Sequence, residues 1–176
     1  MRTITLIVIH CSAVRPDQRS SAEDIDKWHK DRGFKGIGYH YVIRRDGTIE
    51  PGRPEWMISA HCVNHNKYSI GVCYEGVLGI RGQPADTRTA EQKQTMRRLL
   101  EELHERYPRA VIVGHHDLNP HKDCPCIINV AKEYADLQPK WKNPPNRLSV
   151  RGFLRYLCHR KLHLATDNYV FIRNLL

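Results

Sequence analysis

Short apolar runs alternate with polar segments along the first 137 residues of the chain. Five of these runs are rich in β-branched residues or alternate in polarity, and they predict strands over residues 3–9, 39–44, 48–50, 69–74 and 110–113. Asp46 and Gly47 lie between the second and third runs and predict a hairpin turn. The sequence therefore contains enough strands for one sheet.

Several segments between and after these strands have the caps and the apolar spacing of helices. Ser21, with Asp24 three residues later, predicts the start of a helix that ends at Gly33. Thr89 predicts the cap of a longer helix over residues 90–107, and residues 127–137 predict a short third helix. Strands that alternate with helices predict an α/β fold with a mixed central β-sheet flanked by helices.

A change of composition divides the chain near residue 139. Residues 139–146 are rich in proline and polar side chains, which is typical of a linker. Residues 140–176 contain eight Lys or Arg and one Asp, so they hold +7 of the net charge of +9. Basic residues recur there at Arg147, Arg151 and Arg155, which predicts a basic amphipathic helix. We therefore expect a main domain over 1–139 and a basic C-terminal helical extension over 140–176.

The charge distribution limits the kinds of partner. Residues 1–139 are nearly neutral, so no specific nucleic-acid partner is expected for the main domain. The basic extension is compatible with a packed helix, with contact to anionic envelope polymers, or with nucleic acid. The apolar run near the N-terminus is too short for a signal segment, and we expect synthesis in the cytoplasm. The chain is also expected to be a monomer.

Residues 114–126 carry the densest chemistry in the chain. They contain three histidines, one lysine and two cysteines, and Asn119 and two prolines predict an irregular loop. Imidazole and thiolate groups at the end of a strand suit zinc, and a site with three protein ligands stays open for catalysis. His10, at the end of the first apolar run, is the candidate for a further ligand.

Several short motifs occur in an order that identifies a family resemblance. They lie at residues 9–13, 28–30, 38–40, 45–48, 66–72 and 115–124. Over residues 1–137 the chain closely resembles the zinc N-acetylmuramoyl-L-alanine amidases, the family of phage amidase lysozymes and peptidoglycan recognition proteins. The resemblance implies hydrolysis of the amide between N-acetylmuramic acid and L-alanine of peptidoglycan by a zinc-activated water.

The same resemblance implies roles for individual residues. The zinc ligands would be His10, His115 and Cys124. Tyr39 and Lys122 match the catalytic side chains of the family, with Tyr39 orienting or deprotonating the water and Lys122 stabilising the oxyanion.

The resemblance also bears on one substrate-binding histidine and on two alternative metal ligands. His61 matches a substrate-facing histidine of the family. The segment between His115 and Cys124 is one residue longer than in the phage pattern, so His116 and Cys126 are alternative ligands.

Three alternatives to a zinc amidase remain open. Cys126 or His116 would complete a structural zinc site as a fourth ligand, and Cys124 with Cys126 is a candidate redox pair. A non-catalytic peptidoglycan recognition module would have the same fold. In that family, loss of the cysteine ligand accompanies loss of catalysis. Because Cys124 is present, we favour an enzyme, specifically a phage or prophage endolysin.

Overall fold

The computed structural model describes residues 2–140, and its centre is a five-stranded sheet. The strands, in chain order, are β1 (Leu6–Cys11), β2 (Tyr41–Ile43), β3 (Ile49–Pro51), β4 (Ser69–Tyr74) and β5 (Val111–Gly114). The predicted helix within the basic extension lies outside the described residues, and the boundary at residue 139 stays a prediction.

The order of strands in the sheet is β3-β2-β4-β1-β5. β2, β4, β1 and β5 are parallel, whereas β3 pairs antiparallel with β2 at one edge. β1 has a strand on both sides, and all six of its residues are buried. The predicted mixed α/β sheet is therefore confirmed, with β1 beginning at Leu6 rather than at residue 3.

Both long helices begin with the predicted caps. α1 (Ala22–Asp31) starts after Ser21, whose side chain accepts the backbone N–H of Asp24. α2 (Ala90–Arg106) starts after Thr89, whose side chain accepts the backbone N–H of Gln92. In each case the third helical residue returns a side-chain hydrogen bond to the cap, which satisfies two backbone donors at once.

The segments after β5 differ from the sequence prediction. The expected irregular loop begins with a helical turn, α3 (His115–Leu118), which ends at Asn119 before Pro120. The single helix expected over residues 127–137 was wrong. Asn129 caps a start at Val130 by accepting the Lys132 N–H, and the segment then forms α4 (Val130–Glu133) and a 3-10 turn (Ala135–Leu137), which are separated by the non-helical backbone of Tyr134.

The two faces of the sheet are covered unequally. α2 supplies Met96, Leu99, Leu100 and Leu103 to a large apolar core on one face. α1 supplies Ile25 to a small apolar cluster with Val42 and Cys73.

Within residues 2–140, no helix has the length and apolar character needed to cross a membrane.

Candidate metal centre and active site

Strand topology brings His10 and His115 together. β1 and β5 are adjacent and parallel, and Ile9 pairs with Gly114. Each histidine directly follows one of these paired residues, so both lie at the carboxyl edge of the sheet. Their ring centroids are 4.5 Å apart. Because Ile9 and Cys11 belong to the large core and side chains alternate along a strand, His10 points to the opposite face.

Cys124 returns to this edge through the loop that follows α3. Its carbonyl accepts the backbone N–H of His116 at 2.8 Å, which holds the end of the loop against α3. The backbone N–H of Cys11 points at the Cys124 sulfur, 3.3 Å away, and His10 Nδ1 lies 3.7 Å from the same sulfur. One ligand atom from each of His10, His115 and Cys124 lies within 4.8 Å of the others.

The distances and the donor chemistry of these three residues fit zinc. Tetrahedral zinc with a sulfur at about 2.3 Å and a nitrogen at about 2.0–2.1 Å separates those atoms by about 3.6 Å. The separation between His10 Nδ1 and Cys124 Sγ is 3.7 Å. The side chains of Cys11, His10 and His115 lie close to the Cys124 sulfur, and their interactions with it lower the pKa of Cys124 and favour the thiolate that binds metals. Burial lowers the pKa of His10 and favours the neutral, metal-binding imidazole.

Tyr39 precedes β2 and lies beside the candidate ligand His10. Its ring centroid is 5.1 Å from that of His10 and 5.5 Å from that of His29 on α1. His29 Nδ1 accepts the backbone N–H of Gly38, which fixes the turn immediately before Tyr39. Burial raises the pKa of Tyr39 well above its usual value, so the phenol keeps its proton. This contact between His29 and Gly38 was not predicted from the sequence.

Lys122 lies close to the candidate ligand Cys124 along the chain. It lies two residues before Cys124, a span of at most about 7 Å along the backbone. Its backbone N–H donates to the carbonyl of Asn119, and its side chain is exposed.

His61 lies at the site, in direct contact with a candidate ligand. Its Nδ1 is 2.8 Å from His10 Nε2, and its Nε2 is 3.2 Å from Ser69 Oγ. Its ring centroid is 6.2 Å from that of Tyr39. The structure thus places His61 among the predicted site residues, and its contact with substrate stays a prediction.

The alternative ligands lie outside the three-residue cluster. His116 Nε2 is 3.5 Å from Asp117 Oδ1, and Cys126 packs against the large apolar core. Burial raises the pKa of the Cys126 thiol, which disfavours the thiolate. Among residues 2–140, the cluster of possible metal ligands contains His10, His115 and Cys124 and neither alternative. A structural zinc site with four protein ligands is therefore less well supported than an open, three-ligand site.

An α/β sheet with a His/His/Cys cluster at its carboxyl edge is an arrangement typical of enzymes that bind a catalytic metal ion. A family model described as N-acetylmuramoyl-L-alanine amidase matches residues 1–127. The endolysin of Enterobacteria phage T3 is 41% identical over 150 residues, which are 85% of this chain and 93% of that relative. The chain therefore belongs to the N-acetylmuramoyl-L-alanine amidase family, as the sequence analysis predicted.

Solved structures agree with this family. An N-acetylmuramoyl-L-alanine amidase from Clostridium intestinale matches with 31% identity and a TM-score of 0.61, covering 70% of this chain and 77% of that chain. The Ph2119 endolysin from a bacteriophage of Thermus scotoductus matches with 29% identity and a TM-score of 0.63, covering 78% of this chain and 86% of that chain. The predicted fold and enzyme class are thus confirmed.

Proposed function

We propose that this amidase hydrolyses the bond between N-acetylmuramic acid and L-alanine with a zinc ion held by His10, His115 and Cys124. The observation that carries the proposal is the convergence of three ligand atoms within 4.8 Å at the carboxyl edge of the sheet. When bound, zinc lowers the pKa of a water molecule to about 7 and polarises the scissile carbonyl. The protein would hold the metal ion through the three ligands, and other side chains would position the water and stabilise charge on the substrate.

Two further side chains act on the substrate in this proposal. Lys122 places its ammonium group beside the carbonyl oxygen and stabilises the negative charge that develops there. Tyr39, whose ring lies beside His10, orients the attacking water with its hydroxyl group. Its position is supported from α1 by the ring of His29 and by the His29–Gly38 hydrogen bond.

The biological role that fits this chemistry is that of an endolysin. The chain is similar to a phage endolysin over most of its length, and peptidoglycan is the polymer that its family acts on. The enzyme would be made in the cytoplasm and would act on the wall after release. The basic extension would contact anionic envelope polymers, and the protein would act as a monomer. A recognition module without activity is less favoured because the thiol of Cys124 is present and lies close to His10.

Digestion of purified peptidoglycan tests the proposal. We expect new amino-terminal L-alanine to appear, to vanish with a chelator and to return when zinc is added. New reducing sugar ends in place of amino termini would mean a glycosidase and would contradict the proposed reaction. Zinc binding with retention of wall fragments, but with neither product, would favour the recognition module.

A further inference from the structure

We propose that His61 and Ser69 fix the tautomer of His10 and so hold its Nδ1 atom ready to bind the metal ion. The inference rests on the proposed function, because it assigns a supporting role at the same site. It differs from the expected contact between His61 and substrate, since it operates before any substrate arrives. The evidence is a continuous row of polar atoms from Cys124 through His10 and His61 to Ser69.

The direction of these hydrogen bonds follows from the metal site. His10 Nδ1 faces the Cys124 sulfur at 3.7 Å, so this atom belongs to the ligand cluster and must carry a lone pair. A neutral imidazole then has its proton on Nε2. Nε2 of His10 lies 2.8 Å from Nδ1 of His61, so His10 donates and His61 accepts.

The same reasoning extends to the next hydrogen bond. His61 accepts through Nδ1, so its own proton is on Nε2, which lies 3.2 Å from Ser69 Oγ. The serine oxygen is then the acceptor at the end of the row. Ligating histidines generally donate their second N–H to a neighbouring acceptor, which orients the ring and raises its basicity. Here a second, neutral histidine supplies that acceptor.

The backbone around His61 holds the ring in this position. The ring lies on Gly71 of β4, where a Cβ atom would come within 2.4 Å of His61 Cδ2. Asn66 Oδ1 accepts the backbone N–H of His61 at 2.8 Å. Ser69 is the first residue of β4 and is completely buried. The acceptor for His10 is therefore built into the sheet and the adjoining loop.

Both ring nitrogens of His61 have protein partners. Nδ1 is occupied by His10 and Nε2 by Ser69, so neither ring nitrogen is left to bind a substrate group while these hydrogen bonds persist. Removal of the imidazole should therefore weaken metal binding in the absence of substrate. A purely substrate-contacting residue would leave metal binding unchanged.

Zinc affinity, measured on the full chain by competition with a chromophoric chelator, tests this inference. We expect His61→Ala to bind zinc roughly 10- to 100-fold more weakly than the unsubstituted protein. His61→Gln keeps an acceptor oxygen and should recover part of that loss. His65→Ala is the matched control, because His65 lies in the same loop but pairs its Nδ1 with the Tyr68 hydroxyl. Its zinc affinity should be unchanged.

A second readout uses cobalt in place of zinc. The visible absorption of bound cobalt reports the ligand geometry without any catalytic turnover, and it should change in His61→Ala but not in His65→Ala. Gly71→Ala, which pushes the ring of His61 away from β4, should weaken zinc binding while all ligands remain. Far-ultraviolet circular dichroism of the metal-free variants identifies any variant that fails to fold.

Two results would overturn the inference. One is a folded His61→Ala protein whose zinc affinity and cobalt spectrum match those of the unsubstituted chain. The other is His61→Gln and Gly71→Ala proteins that both bind zinc normally. Either result would leave the proposed function intact if the unsubstituted enzyme releases L-alanine amino termini in a zinc-dependent manner. Failure of that release would instead contradict the proposed function itself.

Discussion

The two faces of the central sheet differ in the polarity of the side chains that cover them. The face under α2 is a continuous apolar core, with Met96 and Leu100 completely buried. The face under α1 has a small apolar cluster and then a group of rings that includes His10, His29 and Tyr39. Apolar burial on one side stabilises the sheet, which leaves the other side available for polar groups that carry chemistry.

Polar groups on the α1 face are tolerated because they have partners. His29 Nδ1 accepts the Gly38 N–H, and His40 Nδ1 accepts the Gly71 N–H, each at 2.9 Å. A buried polar group without a hydrogen bond would cost several kcal/mol, whereas these imidazoles are paired with backbone donors that also need partners. We therefore expect substitutions on the α1 face to change metal binding or catalysis. Substitutions on the α2 face should instead change the free energy of unfolding.

Removal of the thiolate should have the largest effect on the site face. We expect Cys124→Ser to lose tightly bound zinc and to reduce peptidoglycan hydrolysis to background, because the cluster loses its negatively charged ligand. The thermal unfolding of the metal-free protein should change little, since the substitution replaces one atom of a side chain that is only partly buried at the margin of the α2 core. Cys126→Ser is the matched control and should retain zinc. Equal loss of zinc in both variants would contradict the assignment of the ligand to Cys124.

Neutralisation of Lys122 should reduce the rate and leave the metal in place. We expect Lys122→Met to lower kcat by about 10²- to 10³-fold, because a charge that stabilises the oxyanion is removed. Zinc stoichiometry should stay at that of the unsubstituted protein, since Lys122 is exposed and outside the ligand cluster. Lys132→Met, an exposed lysine on α4, serves as the control. A normal rate in Lys122→Met would remove this residue from the mechanism.

Truncation of a core side chain on the α2 face should lower stability and leave zinc binding unchanged. Leu100 on α2 is completely buried, and Leu100→Ala should lower the free energy of unfolding by about 2–5 kcal/mol. The zinc affinity of the folded protein should be unchanged, because Leu100 packs in the core on the face of the sheet opposite His10. Urea denaturation measures the loss of stability, with Val63→Ala, exposed and in a loop, as the control. A Leu100→Ala protein that is fully stable but unable to bind zinc would contradict the comparison.

The buried histidines predict a smaller, pH-dependent effect. Burial lowers the pKa of His29 and of His40 to about 4 in the folded protein. The pKa of a histidine in the unfolded chain is about 6.5. Between these values the unfolded state binds protons that the folded state does not, so stability falls as pH falls. The slope is at most about 1.4 kcal/mol per pH unit for each histidine.

Urea denaturation of the metal-free protein at a series of pH values between 4 and 7 measures this slope. His29→Asn keeps an acceptor for the Gly38 N–H but cannot titrate, so it should reduce the slope by the contribution of one proton. Val63→Ala, at an exposed loop residue without a titratable group, should leave the slope as it was. An unchanged slope in His29→Asn would show that His29 does not stay neutral in the folded protein.

Local sequence signals predicted the elements of this protein well. Ser21 and Thr89 were identified as caps because each has a partner three residues later that completes a reciprocal pair of hydrogen bonds. The central strands followed from short β-branched runs. The division of residues 127–137 was not predicted, because the Asn129 cap and the non-helical backbone at Tyr134 override an apolar periodicity that by itself favours one helix.

The sequence by itself determined which kinds of ligand the chain possesses and in what order they occur. Only the tertiary structure decided that β1 lies beside β5, which brings His10 to His115, and that His61 pairs with His10 and Ser69. Neighbours along the chain obey local geometry that can be read from periodicity and capping. Contacts between residues more than fifty positions apart depend on which strands pair and in which register, and that is set by the packing of the whole sheet.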